Sequence, residues 1–146
     1  NTKNTAISSM KVVGTRLFVG TTNSEEGAEV WRYNPNPGEG QKFWKQVGQA
    51  GLGDPSTVGA ISMEYHNGKL YVGTRVRPSS DPASKEGGCG VWSYDPKTVQ
   101  WTQENKKGFG NQYNLAALSM VSDGTTLMTG TDNVVFGGMI WGTTGN

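Results

Sequence analysis

The chain is poor in charge and poorer still in the side chains that do chemistry. Thirteen Lys and Arg with twelve Asp and Glu make up 17% of its 146 residues and leave a formal charge of +1; soluble domains average about 25% charged residues. Neither sign dominates, which excludes a nucleic-acid binder that relies on a basic field. No apolar run approaches the roughly 18 residues of a membrane-spanning helix. The only cysteine, Cys89, lies between Gly88 and Gly90, so there is no internal disulfide and no Cys/His cluster to hold zinc. There is likewise one histidine, His66, and no Asn-x-Ser/Thr glycosylation acceptor. Nothing implies a cofactor or a metal. The first residue is Asn1 rather than Met, which suggests a removed leader or a longer parent chain.

Glycine and aromatic residues are plentiful. Twenty-two Gly, five Trp, five Tyr and four Phe suit a turn-rich β protein, and the length suits one domain. The chain also repeats itself. Ser9-Met10 returns as Ser62-Met63 and Ser119-Met120, and Gly20-Thr21 as Gly73-Thr74 and Gly130-Thr131, at spacings of 53 and then 57 residues. Val30-Trp31 returns as Val91-Trp92 and, more loosely, Ile140-Trp141. Trp44 and Trp101 are 57 apart, as are Gly51-Leu52-Gly53 and Gly108-Phe109-Gly110. Anchors held in register over this distance mark a structural repeat.

Within a unit the apolar period is two, broken by turns, which predicts strands. In the second unit Ala60–Tyr65 alternates, Asn67-Gly68 supplies a type I′ hairpin turn, and Lys69–Thr74 returns. Gly90–Tyr94 and Val99–Gln103 are the third and fourth strands, joined at Asp95-Pro96. Four short antiparallel strands in about 40–55 residues make the blade of a β-propeller. The boundaries fall after each Gly-x-Gly: repeat 1 is 1–53, repeat 2 is 54–110, and repeat 3 is 111–146, stopping after its third strand. The expectation is all-β, with eleven strands and about 2.75 blades. A propeller needs about four to eight blades to close, so ring closure is expected to need a second copy.

Leu-Tyr-Val-Gly-Thr at 70–74, Val-Trp-Ser-Tyr-Asp-Pro at 91–96 and Trp101 together resemble a kelch repeat. Tyr94 and Trp101 carry the Tyr-to-Trp spacing of that family, and Tyr33 and Trp44 match in kind across a longer turn. The departure is consistent: the second Gly of the family's doublet is Thr21, Thr74 and Thr131. The resemblance implies a propeller fold and leaves function to the site.

Trp44 and Trp101 are read as packing between neighbouring blades, where an aromatic ring buries a large area. Trp31, Trp92, Trp141, Tyr33 and Tyr94 are read the same way, with sugar stacking as the alternative. His66, just before a hairpin turn, is read as an exposed turn residue, because a catalytic histidine needs an orienting partner. Asp54 and Asn111, with Asn1 in the same place, follow the Gly-x-Gly. They are read as bonding their own backbone two residues on, not as a cation site, which needs six to eight oxygens. The recurring threonines are expected to satisfy backbone or inter-blade hydrogen bonds. The irregular loops carry the functional reading. Between the second and third strands, units one and three spend five residues, whereas unit two spends twelve, Arg75–Glu86. Arg75 and Arg77, with Asn23 and Glu25 of the neighbouring blade, are the candidate ligand-facing residues; a solvated loop is the competing reading.

No acidic pair recurs to support hydrolysis. Glu25, Glu26, Glu29, Glu64 and Glu104 are candidates without a spacing argument, and Glu29 aligns with Gly90 and Met139. The expected function is therefore a non-catalytic binding or interaction module for a glycan or protein. The alternatives are a fragment of a larger propeller enzyme and a purely structural scaffold. The expected partner is a second copy of the chain. After Gly124 the only charged residue is Asp132, and Met128, Val134, Val135, Phe136, Met139, Ile140 and Trp141 offer an apolar face suited to an interface.

Overall fold

The structure, a computed structural model, describes residues 1–78 and 87–143. Among these residues, alternating apolar and polar side chains between glycine-rich turns give eleven strands, joined in one open antiparallel sheet. The first unit is β1 (Ala6–Val13), β2 (Arg16–Thr22), β3 (Val30–Tyr33) and β4 (Trp44–Gln46), each paired with the next. The second repeats this as β5 (Thr57–His66), β6 (Lys69–Val76), β7 (Val91–Asp95) and β8 (Gln100–Gln103). The third has β9 (Ala116–Ser122), β10 (Leu127–Asp132) and β11 (Ile140–Gly142). Between β5 and β6, Asn67 and Gly68 have φ of 46° and 80°, the two positive values that a type I′ turn requires.

Among the described residues, consecutive units share one ladder pair each, Thr22 with Gly59 and Arg75 with Ala116. The apolar interior lies between units rather than within them. Phe18, Val30, Val47 and Leu52 of the first unit pack against Met63, Leu70, Val72 and Tyr94 of the second. A smaller cluster joins Cys89 and Val91 of the second to Ala117 of the third.

Repeated residues make each junction tight. The Ser9 hydroxyl donates to the Ala60 carbonyl at 2.6 Å, and Ser62 does the same to Ala117 at 2.6 Å. A Cβ on Gly20 would lie 2.4 Å from the Ala60 oxygen and 2.9 Å from its Cβ; on Gly73 the distances to Ala117 would be 2.6 and 2.9 Å. Only glycine admits the next unit this closely. The recurring threonines act inside each unit. Thr21, Thr74 and Thr131 accept from the backbone N–H of Glu29, Gly90 and Met139 at 2.9, 2.8 and 3.1 Å. Asn1, Asp54 and Asn111 each accept from the N–H two residues on, at 3.1, 2.9 and 3.0 Å.

Two expectations need correction. Trp101 packs against the core between the first two units, but Trp44, at the same repeat position, is 44% exposed. Among the described residues no unit packs against the face of the first unit that Trp44 belongs to. His66 is not an exposed turn residue: it is 5% exposed, and its Nδ1 lies 2.7 Å from Ser122 Oγ at the matching turn of the third unit. The Asn67 amide nitrogen lies 3.0 Å from Nε2, so both ring nitrogens are engaged. The Ser122 oxygen accepts from the Gly124 N–H at 3.1 Å, so the histidine is a fastener between two hairpin turns.

The same truncation should therefore cost differently at two equivalent sites. Trp101→Ala is expected to lose about 2–3 kcal/mol, below the full Trp→Ala range because the ring is partly exposed, and Trp44→Ala under about 1 kcal/mol. Urea denaturation of both variants checks this; equal losses would show that the junction does not set the burial.

Candidate functional site

Chain direction gathers the functional candidates at one end of the sheet. The β2–β3, β6–β7 and β10–β11 loops leave from this end, as do the connections between units and the N-terminal segment. The connections turn sharply at Gly51-Leu52-Gly53, with φ of 73°, 53° and 92°, and at Gly108-Phe109-Gly110, with 56°, 55° and 88°. Each corner is bonded to the loop beside it, Gly51 N–H to Ala28 O and Gly108 N–H to Cys89 O, both at 2.8 Å. The loops therefore sit on a braced rim.

The four candidate residues share this rim without converging on one point. Arg75 lies in β6 and pairs with Asp132 of the third unit at 3.3 Å. Arg77 reaches the other way, donating to the Ser24 carbonyl of the first unit, while its own N–H bonds Ser56 O at 3.0 Å. Glu25 is exposed and pairs with Lys3 at 3.0 Å. Asn23 is fully buried; its oxygen accepts from the N–H groups of Glu25 and Glu26, and its amide donates to Asn4 at 3.0 Å. It shapes the loop from beneath. Of the long second-unit loop, Ser79–Glu86 lies outside the described residues.

Sequence reasoning missed the most elaborate polar cluster here. Glu29 is 6% exposed and accepts three hydrogen bonds from neutral donors: Asn1 at 2.7 Å, Asn4 at 2.8 Å and the Trp31 indole at 2.8 Å. Burial pushes its carboxyl pKa up, but the bonds from Asn4, Asn1 and Trp31, with the nearby chain amino group, prevail and hold it below its ordinary value. Asn4 ties Asn23 to this cluster, and Asn114 bonds Asn133 at 2.8 Å at the same place in the third unit. The second unit has Thr57 and Val76 there. The Asn pair was legible as a repeat feature; Glu29 was not, because its partners lie 25 and 28 residues away.

The other candidate carboxylates are also engaged. Glu64 pairs with Lys11, and Glu104 accepts from Ser93 and lies 3.8 Å from Lys69. Asp54 is held below its ordinary value although burial opposes it, because Ser56 and Lys107 bond its charged form. Burial pushes the Cys89 thiol up to about 12, far from the thiolate range of a nucleophile. Among the described residues no group of three or more His, Cys, Asp or Glu is placed to hold a metal ion. The chain matches no protein-family model and no curated protein.

A carboxylate held below its ordinary pKa stabilises the fold above that ordinary value, and the contribution fades as pH falls through the folded one. Glu29→Gln turns an amide N–H₂ toward donors and should cost about 1–3 kcal/mol at neutral pH, the cost of an unsatisfied buried group. The variant should also lose less stability than the parent between about pH 5 and pH 3, the range in which a Glu with an ordinary pKa near 4.3 and a lowered folded value titrates. Melting curves across this range check both; parallel pH profiles would show that Glu29 carries no linked stability.

Proposed function

We propose that the chain is a segment of a kelch-like β-propeller and serves as a non-catalytic binding module, its loop rim facing a glycan or protein and its ring completed by a second copy. The observation that carries the assembly is the behaviour of equivalent positions. Val30 and Val91 are 1% and 5% exposed, but Ile140, their counterpart in the third unit, is 81% exposed. At the other end Met63 is 8% exposed and Met10 is 65% exposed. Among the described residues, a position of this kind is buried where a neighbouring unit packs against it and open where none does, so both end faces present the apolar residue types of an internal junction. Val134, Val135 and Phe136, each more than half exposed, add apolar surface in the β10–β11 loop on the rim. A patch of this kind usually marks an interaction site.

The binding reading rests on the rim. Lys3, Glu25, Arg75 and Arg77 bring both signs of charge to loops braced from below, and rigid support with polar loop tips is the usual arrangement of a recognition surface. The acids an enzyme would use are committed to structural bonds: Glu29 to Asn1, Asn4 and Trp31, Glu64 to Lys11, and Glu104 to Ser93.

Two measurements on the same preparation test this reading. Light scattering should give twice the 15.6 kDa chain mass; a monomer at high concentration contradicts ring closure by a second copy. A glycan array should show binding that Arg77→Ala weakens at least about tenfold, or about 1.4 kcal/mol. An array with no bound sugar removes the glycan form of the reading.

A further inference from the structure

The first unit differs from the second in one loop and in the charge beside it. Tyr33 and Trp44 are 11 residues apart and Tyr94 and Trp101 seven, so the β3–β4 loop is four residues longer than its counterpart. It leaves from the end of the sheet opposite the rim, and the Asn34 N–H closes it on the Phe43 carbonyl at 2.8 Å. Arg32, at its base, lies directly opposite Phe18 in the ladder, and Phe18 packs on Tyr94 of the second unit with ring centroids 5.9 Å apart. Arg32 is therefore on the face turned to the second unit. Lys45, opposite Arg32, and Arg16, two residues before Phe18, share that face. Like charges directly opposite one another destabilise a sheet. Among the described residues neither arginine nor Lys45 has an ion pair. Arg32 Nε is shut from water without a hydrogen-bond partner, and so is the Tyr94 hydroxyl. Burial raises the pKa of that hydroxyl; Arg32 and Arg16 are near enough to pull it down, and Asp95 adds to the rise. The second unit shows the contrast. Lys69 stands there in place of Arg16 and Ser93 in place of Arg32, and both meet Glu104. At the position of Glu104 the first unit has Val47.

A cavity of about 410 Å³ opens onto these cations, walled by Arg32, Asn34, Gln41, Lys42, Trp44 and Lys45. Tyr33 and Phe43, which stack at 6.1 Å beside Trp44 on the opposite face, take no part in it. Its lining has three cations and two amides but no acid, and the loop's own carboxylate, Glu39, is exposed outside it. The Asn34 side-chain oxygen accepts from the Asn36 N–H at 3.3 Å, which leaves its N–H₂ as a donor. We propose that this cavity binds a phosphate group, either the free ion or the monoester of a small molecule. Such a group carries about two negative charges at neutral pH, enough to offset Arg32 and Lys45, whereas a carboxylate carries one. The guanidinium takes two of its oxygens side by side, so that Arg32 Nε gains the acceptor it lacks. Lys42 and Lys45 supply compact charges on flexible stems, and the Asn34 and Gln41 amides donate to the oxygens that remain. The long Arg32 side chain shifts to admit the anion. The site lies on the side of the first unit that the second unit packs against, at the end of the sheet opposite the rim. It rests neither on a glycan bound at the rim nor on a ring closed by a second copy.

The probes are inorganic phosphate, glucose 6-phosphate and acetate, titrated into the intact 146-residue chain at fixed ionic strength in chloride. Calorimetry reads affinity, and nitrogen-15 NMR reads the Arg32 Nε–H resonance. The expected result is saturable phosphate binding with Kd below about 1 mM, a shift of that resonance, and acetate weaker by at least about tenfold. Tighter binding of glucose 6-phosphate than of phosphate would identify an ester as the natural source; equal binding would identify the group itself. Arg32→Gln should weaken phosphate at least about tenfold, the loss of a charge-assisted pair of hydrogen bonds, and Lys45→Gln should weaken it at least about threefold. Lys106→Gln, which removes the same charge from an exposed lysine of the second unit, should change it less than twofold. A Kd above about 1 mM, an unmoved Arg32 resonance, acetate binding equal to phosphate, or an equal loss in Lys106→Gln would each overturn the proposal. If Arg32→Gln unfolds, Lys45→Gln and the resonance of the parent chain still decide.

Discussion

The structure depends on how closely one unit can approach the next. Two glycines, Gly20 and Gly73, leave space for an alanine and its carbonyl from the following unit, and a serine from the neighbouring strand closes the contact with a 2.6 Å hydrogen bond. Beside one ladder pair at each junction, the N–H groups of Asn23 and Ala28 bond the Val58 and Thr57 carbonyls, and those of Val76 and Cys89 bond Leu115 and Asn114, so backbone ties the units at the rim. The close approach brings side chains from facing strands within packing distance and places the core between units. Added at Gly73, a methyl group would collide with backbone, which cannot move aside as a flexible side chain can.

From this contact the rest of the architecture follows. With β1, β5 and β9 held against one another by this contact, the corners at Gly51–Gly53 and Gly108–Gly110 turn back onto the preceding loop, where the Gly51 and Gly108 N–H groups bond the Ala28 and Cys89 carbonyls. That bracing gives the rim its shape and leaves the polar loop side chains to engage one another or a ligand. The same geometry explains the exposed apolar surface at both ends. Ile140 and Met10 occupy junction positions with no junction to fill.

Much of this was legible in the sequence because it follows from local rules. Asn67-Gly68 demanded a hairpin turn, the two-residue period gave strands within a few residues of those observed, and residues that recur at 53 and 57 returned in the same structural role. Thr21, Thr74 and Thr131 each hold the facing strand, and Asn1, Asp54 and Asn111 each turn the backbone. The failures are non-local. Trp44 and Trp101 have the same local sequence setting, and only a neighbouring unit separates them. His66 looked exposed because its partner, Ser122, is 56 residues away. Glu29 resembled a spare acid until the N-terminal segment folded over it. The candidate ligand residues share one rim, and their directions depend on partners in adjacent units: Asp132 for Arg75, and the Ser24 carbonyl for Arg77.

The central claim is that stability resides in these glycine-mediated approaches, and a pair of alanine substitutions tests it most directly. Gly73 faces Ala117 across an internal junction, whereas a Cβ at Gly130, the same repeat position, would meet only the Ser119 hydroxyl, at 2.8 Å, a group that can rotate away. In chemical denaturation of the chain at concentrations low enough to keep it monomeric, Gly73→Ala should lose about 1–3 kcal/mol, the usual cost of overpacking. Gly130→Ala should stay within about 0.5 kcal/mol of the parent. Equal stability of the two variants would contradict the account.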